Sequence, residues 1–310
     1  MKRKTILLLL LALVTAVASP EASCRAHKVS KGNTNAIWAW SSHMNKIDLD
    51  MLADRDIGNI ILNEKAFEVH GKDSVMAFVK AAKKRGITVH IWIQCCYRNG
   101  KWAYPMDDEH NCYDQEFYDE VVERACKYVG WGVKGIHLDY IRFGGTAYKH
   151  NPSDEITATG CITEFCRQLN VGIKKKNPRV VISAALMPEP DSEYYYGQNA
   201  HDMGQYIDIL MPMIYRHSPG YRHNGENWSR EVAEYFVKKG SPAAVWAGTT
   251  TYTTKENGGE DDVVPLDAAT IAEECRDFIG TGVKGIALFR FDLGEIPDLH
   301  GILDQKTVRP

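Results

Sequence analysis

Two carboxyl groups and one imidazole occupy positions in this sequence that could do chemistry. The stretch GIHLDYIRF (135–143) places His137 and Asp139 two residues apart in an otherwise apolar, β-branched-rich run. In an extended strand, residues two apart share a face. His137, Asp139 and Ile141 therefore point one way, and Ile136, Leu138 and Tyr140 the other. The second set is apolar enough to lie under helices, so His137 and Asp139 should point inward. Burying such groups without partners is expensive, which places them near an opening. A second acid follows the run VVISAALM: Ser183, Ala185, Met187 and Glu189 share a parity, and Pro188 and Pro190 restrict the backbone on both sides of Glu189. Two carboxyl groups at neighbouring strand ends can hold different proton states and divide acid and base work. Cleavage of a glycosidic bond requires that division: one group protonates the leaving oxygen while the other attacks or activates water. On this reading Asp139 is the nucleophile or base and Glu189 the general acid. The competing roles are structural, an ion pair of Asp139 with Arg142 or Arg290 and a solvated loop position for Glu189. His137 reads as a hydrogen-bonded positioning group.

The side chains around these acids suit a sugar. Trp38, Trp40, Trp92, Trp102, Tyr140, Tyr194, Tyr195, Tyr196, Tyr215 and Tyr252 all fall near the ends of apolar runs, and flat aromatic faces complement the C–H faces of pyranose rings. Gln94, Asn63, Arg142 and Arg290 can bond hydroxyl groups, and Glu64 is another acid just past a strand end. The expected substrate-binding set is Trp40, Glu64, Trp92, Gln94, His137, Arg142, Met213, Tyr215 and Arg290.

Eight short apolar runs must position these residues: 36–40, 59–63, 88–94, 135–143, 180–187, 207–215, 243–249 and 285–291. Amphipathic stretches lie between them, at 73–85, 115–129, 158–176, 229–239 and 267–280. Gly86, Asn177-Pro178 and Gly240 supply helix exits. Runs apolar on both faces suit strands of a parallel sheet, which is covered on both sides. Eight strands alternating with helices over some 270 residues are the count of a single α/β domain, a (β/α)8 TIM barrel, expected over residues 30–305. A doubly wound sheet would call for a Gly-rich loop after the first strand, but Trp40 is followed by Ser-Ser-His. No cofactor is expected, and catalytic groups belong at the C-terminal strand ends.

Composition limits the partners. Lys and Arg number 37 against 40 Asp and Glu among 310 residues, and no basic stripe exists outside the N-terminus, so no nucleic acid is expected. Residues 1–18 combine a basic start with an apolar run from Ile6 to Val14 and then small residues. That run is too short to span a bilayer, which needs roughly 20 apolar residues, and reads as a signal peptide. Lipid attachment at Cys24 is the competing expectation. The expected location is secreted, periplasmic or cell-surface, with no membrane span. Eight cysteines in an exported chain permit disulfides, although Cys161 and Cys166, five apart on one helix, are unsuited to each other. No CxxC pair occurs, and no metal site is expected.

GVKGIHLDYIRF resembles the fourth-strand signature of glycoside hydrolase-like TIM barrels in secreted proteins of bacteria and methanogenic archaea. GGTAYKH, ISAALMPE with YYYGQ, and IDILMPMIYR are similar to methanogen surface proteins. The resemblance runs from about Trp38 to Phe291 and implies that Asp139 is the strand-four catalytic carboxylate, with Glu189 the best match for its partner. LMPMIY is also similar to the sixth strand of chitinase-type barrels, which implies that Met213 and Tyr215 face substrate. Chitinases carry spaced acids ending in Glu on strand four, whereas this chain has only His137 and Asp139 there, so their substrate-assisted mechanism is not implied.

The leading expectation is a secreted glycoside hydrolase that cleaves a cell-wall or extracellular polysaccharide with two carboxyl groups. A non-catalytic carbohydrate-binding barrel is the alternative. A metal-dependent hydrolase using His137, Asp139 and His90 comes third, because metal barrels usually draw further histidines from other strand ends.

Overall fold

The apolar runs become eight parallel strands: β1 (Ala36–Ala39), β2 (Asn59–Asn63), β3 (Thr88–Gln94), β4 (Gly135–Asp139), β5 (Val181–Leu186), β6 (Ile209–Pro212), β7 (Ala244–Thr250) and β8 (Gly285–Phe289). The coordinates are a computed structural model, and the structure describes residues 32–255 and 262–304. Each strand pairs with its neighbours in sequence, and β1 pairs with β8 through Ala36↔Ala287 and Ile37↔Leu288, closing the ring. The fold is a single (β/α)8 barrel, as the alternation of strands and helices requires. The expected signal peptide and Cys24 lie outside the described residues.

Period-two alternation divides each strand between two cores. In β3, Val89, Ile91 and Ile93 join the layer under the helices, and Trp92 joins the smaller core inside the barrel. Ala36, Trp38, Ile61, Ile209, Met211, Trp246 and Ala287 complete that inner core. Several helices start on side-chain caps that satisfy otherwise unpaired backbone N–H groups. Asp114 caps Gln115–Gly130, Thr157 caps Ala158–Lys176, and Asp267 caps Ala268–Arg276.

Two strands end well before the residues the sequence pattern suggests. β4 stops at Asp139 because Tyr140 takes φ 51°, a left-handed backbone that breaks the alternation. β6 stops at Pro212, and only the bridge Met213↔Gly248 continues beside β7. Three two-stranded hairpins not foreseen from the sequence stand outside the barrel sheet. They pair Tyr97–Arg98 with Lys101–Trp102, Met106–Asp107 with Cys112–Tyr113, and Tyr252–Thr254 with Val263–Pro265. The seven cysteines among the described residues are all free thiols. Among the described residues, no helix is long and apolar enough to cross a membrane.

Candidate active site

The C-terminal strand ends surround a cavity of about 390 Å³, a size suited to a few sugar rings. Its wall includes Trp38, Trp40, Trp92, Asp139, Tyr140, Arg142, Met213, Tyr215, Tyr252, Phe289 and Arg290. Aromatic rings support one another across it: Trp40 lies 4.5 Å from Trp92, and Tyr215 stacks on Phe289 at 5.4 Å.

Among the described residues, Asp139 is the only carboxylate in that wall. The last residue of β4, it is 8% exposed. Its Oδ2 accepts from the indole Nε1 of Trp92 at 2.9 Å, and its Oδ1 accepts from the backbone N–H of Tyr140 at 2.7 Å. Burial pushes its pKa above the usual carboxylate range, against the opposing pull of the Tyr140 N–H, Arg142 and the Trp92 indole. The left-handed turn at Tyr140 provides the second donor. It also turns Tyr140 into the cavity wall rather than toward the helices, as uninterrupted alternation would have it.

Arg142 is clasped by rings. Its guanidinium lies 5.0 Å from Trp102 and 5.2 Å from both Tyr140 and Tyr196, each a cation–π contact. It donates to the Phe143 carbonyl at 3.0 Å, while its Nε is buried without a partner. On the opposite side of the ring, Arg290 follows β8 and lies 5.8 Å from the Trp40 ring.

His137 sits one layer below. The Trp38 indole can only donate, so its 3.1 Å bond to His137 Nε2 requires a lone pair there. The imidazole proton is therefore on Nδ1, from which it donates to Ser183 Oγ at 2.9 Å. Burial, with the nearby His90, holds the His137 pKa well below its ordinary value. His137 thus fixes Trp38 and β5 and lies outside the cavity wall.

Three further expected residues also lie outside that wall. Glu64 faces the helix layer: Tyr128 donates to its Oε2 at 2.9 Å, and Arg124 approaches to 3.5 Å. Asn63 already has the inward parity of β2, so the next residue points outward. Gln94 ends β3 in register with Asp139 and is half-buried. Glu189 is held by other side chains outside the wall. Tyr221 donates to its Oε1 at 2.7 Å, its Oε2 is enclosed without a hydrogen-bond partner, and its charge raises the Tyr196 hydroxyl pKa after burial. β5 ends at Leu186, and the Met187 N–H turns to Gln198 at 2.9 Å, so parity no longer applies at 189. The structure therefore gathers Asp139, Trp40, Trp92, Arg142, Met213, Tyr215 and Arg290.

Phe289, Ala185, Ser218, Pro219 and Thr254 also line the cavity without having been singled out. Alternation from Gly285 through Ala287 would have found Phe289, whereas Ser218, Pro219 and Thr254 lie past the strand ends, where no periodic signal operates. Among the described residues, no three His, Cys, Asp or Glu side chains converge as metal ligands.

Residues 97–229 match the family model described as "Putative glycosyl hydrolase domain". The match spans the loops and strands that carry Asp139, Arg142, Glu189, Met213 and Tyr215. The glycoside hydrolase-like resemblance holds over this segment. No curated protein matches the chain. Among solved structures, the Bacillus megaterium spore cortex-lytic enzyme SleL superposes with a TM-score of 0.60 at 12% identity, over 89% of this chain and 75% of that one. A class V chitinase from Pseudomonas fluorescens gives 0.60 at 13%, over 87% and 98%. The GH18 chitinase ChiB of Flavobacterium johnsoniae gives 0.59 at 12%, over 89% and 94%. At these identities the likeness is one of fold.

Proposed function

We propose that the chain is an exported glycoside hydrolase acting on a cell-wall or extracellular polysaccharide. The observation that carries this reading is Asp139, the one carboxyl group among the described residues in the wall of an aromatic, sugar-sized cavity, buried enough to hold its proton above the usual carboxylate range. That proton affinity suits a general acid, rather than the nucleophile or base expected from spacing alone. A protonated Asp139 can pass its proton to the leaving glycosidic oxygen. The carboxylate left behind is received by the Trp92 indole and the Tyr140 N–H, which stand at hydrogen-bond distance from its two oxygens. Glu189, which follows the neighbouring strand and lies outside the wall, would act as a base through a water rather than by direct attack. Carboxyl groups spaced to leave room for water invert the anomeric centre. Tyr221 and Tyr196 would have to move aside for Glu189 to take this role.

The enclosure of Glu189 favours a second reading, a barrel that binds sugar without cleaving it. One experiment separates the two: incubation of the purified protein with bacterial and archaeal wall preparations and with chitin oligosaccharides, measuring reducing ends. Hydrolysis is expected, falling about 10³-fold in Asp139→Asn and about 10²-fold in Glu189→Gln. NMR of the first product should show the inverted anomer. Sugar binding with no reducing ends released would establish the second reading instead.

A further inference from the structure

The ionisable groups of the cavity wall are unbalanced. Apart from tyrosines, the described residues of the wall include two arginines, Arg142 and Arg290, against a single carboxyl group, Asp139. Neither guanidinium has a carboxylate within ion-pair distance among the described residues. Arg142 is braced by Trp102, Tyr140 and Tyr196 and has only the Phe143 carbonyl as a hydrogen-bond partner. The carboxylate nearest Arg290 in sequence, Asp292, is already taken by His43 at 3.2 Å and Lys46 at 3.3 Å. Glu189, near Arg142, is bonded by Tyr221 instead. An arginine left without an anion in a partly dry cavity is a cost, unless the missing anion arrives with a ligand.

The two arginines are also far apart in the ring. β4 and β8 are separated by three strands in either direction, so Arg142 and Arg290 face the cavity from opposite sides with Asp139 at the end of β4. A chain of sugar rings laid across the mouth would pass both.

We infer that the substrate is an acidic polysaccharide, with carboxylate-bearing sugars that pair with Arg142 on one side of the reacting bond and Arg290 on the other. The inference rests on the glycosidase reading for the words "reacting bond", but the recognition itself does not require turnover. Guanidinium groups match carboxylates two bonds at a time. Neutral rings of the same shape would leave both arginines unanswered.

Binding to the Asp139→Asn protein, measured by calorimetry, tests the inference without requiring hydrolysis. The probes are a hyaluronan tetrasaccharide, the same compound with its carboxyl groups reduced to alcohols, and the N-acetylglucosamine tetramer. The carboxylated probe should bind about tenfold or more tightly than either neutral one, with the preference shrinking at high salt. Arg290→Gln should erase most of the preference and Arg290→Lys retain part of it, since lysine keeps the charge but not the planar fork. Arg142→Gln should act similarly, provided that its circular dichroism matches the parent. Equal binding of charged and neutral probes, no binding of the carboxylated probe, or an unchanged preference in Arg290→Gln would each overturn the inference. Failure of the glycosidase reading looks different: acidic sugars bind with the arginine dependence intact, yet the wild-type protein releases no reducing ends.

Discussion

Two residues apart on β4, His137 and Asp139 are both buried in the barrel, yet their surroundings differ in kind. Below, polar groups largely satisfy one another: Trp38 donates to His137, His137 to Ser183, His90 Nε2 bonds Asn59 Oδ1 at 3.2 Å, and Asn59 donates to the Asn35 carbonyl at 3.1 Å. Above, Asp139 and the two arginines face a cavity with more hydrogen-bonding capacity than the protein uses. The lower layer is arranged for the folded state, and the upper one for a ligand. Their pKa shifts have opposite signs, imidazoles pushed down and the carboxyl pushed up.

Asp139→Asn should break the comparison most severely, removing about 4 kcal/mol of transition-state stabilisation, equivalent to the 10³-fold loss above, while the thermal midpoint stays near that of the parent. His137→Ala should do the reverse. It leaves the Trp38 indole without an acceptor and opens a void, costing about 2–4 kcal/mol in denaturant unfolding, with turnover per folded molecule within about tenfold of the parent. Gly135→Ala attacks the same layer from the strand backbone. A Cβ there would stand 2.3 Å from Cγ of His90, closer than any side chain tolerates, and should cost about 1–3 kcal/mol.

Acid should also separate the layers. Burial lowers the His90 pKa to about 4, so the fold keeps a neutral imidazole that the unfolded chain protonates. Stability is therefore complete above pH 6.5 and should be lost as pH falls toward 4, by roughly 3 kcal/mol from His90. His90→Gln should flatten that part of the curve. The raised pKa of Asp139 acts oppositely: a general acid works below its pKa, so activity should fall on the alkaline side. Trp92→Phe removes a donor that stabilises the carboxylate, and should move that alkaline limb upward in pH by less than the width of the profile, the smallest effect of the set.

The sequence revealed the barrel more completely than the site. β2 and β3 fall at the expected residues because their alternation continues to the last paired position. Asp139 was legible for the same reason, as part of the final paired turn of β4. Glu64 is a candidate by closeness to a strand end and Glu189 by strand parity, but a single residue of offset turns Glu64 outward, and the chain has already left the sheet before Glu189. Loop conformation, such as the positive φ of Tyr140, depends on contacts between distant segments. Local spacing carries no record of them.

The Trp40–Trp92 pair has a practical consequence. Two indoles 4.5 Å apart in the cavity wall, one of them hydrogen-bonded to Asp139, form a natural fluorophore whose emission depends on solvent and on the charge beside it. A sugar settling over them should change the intensity or shift the emission wavelength, so occupancy of the cavity can be followed optically without a label.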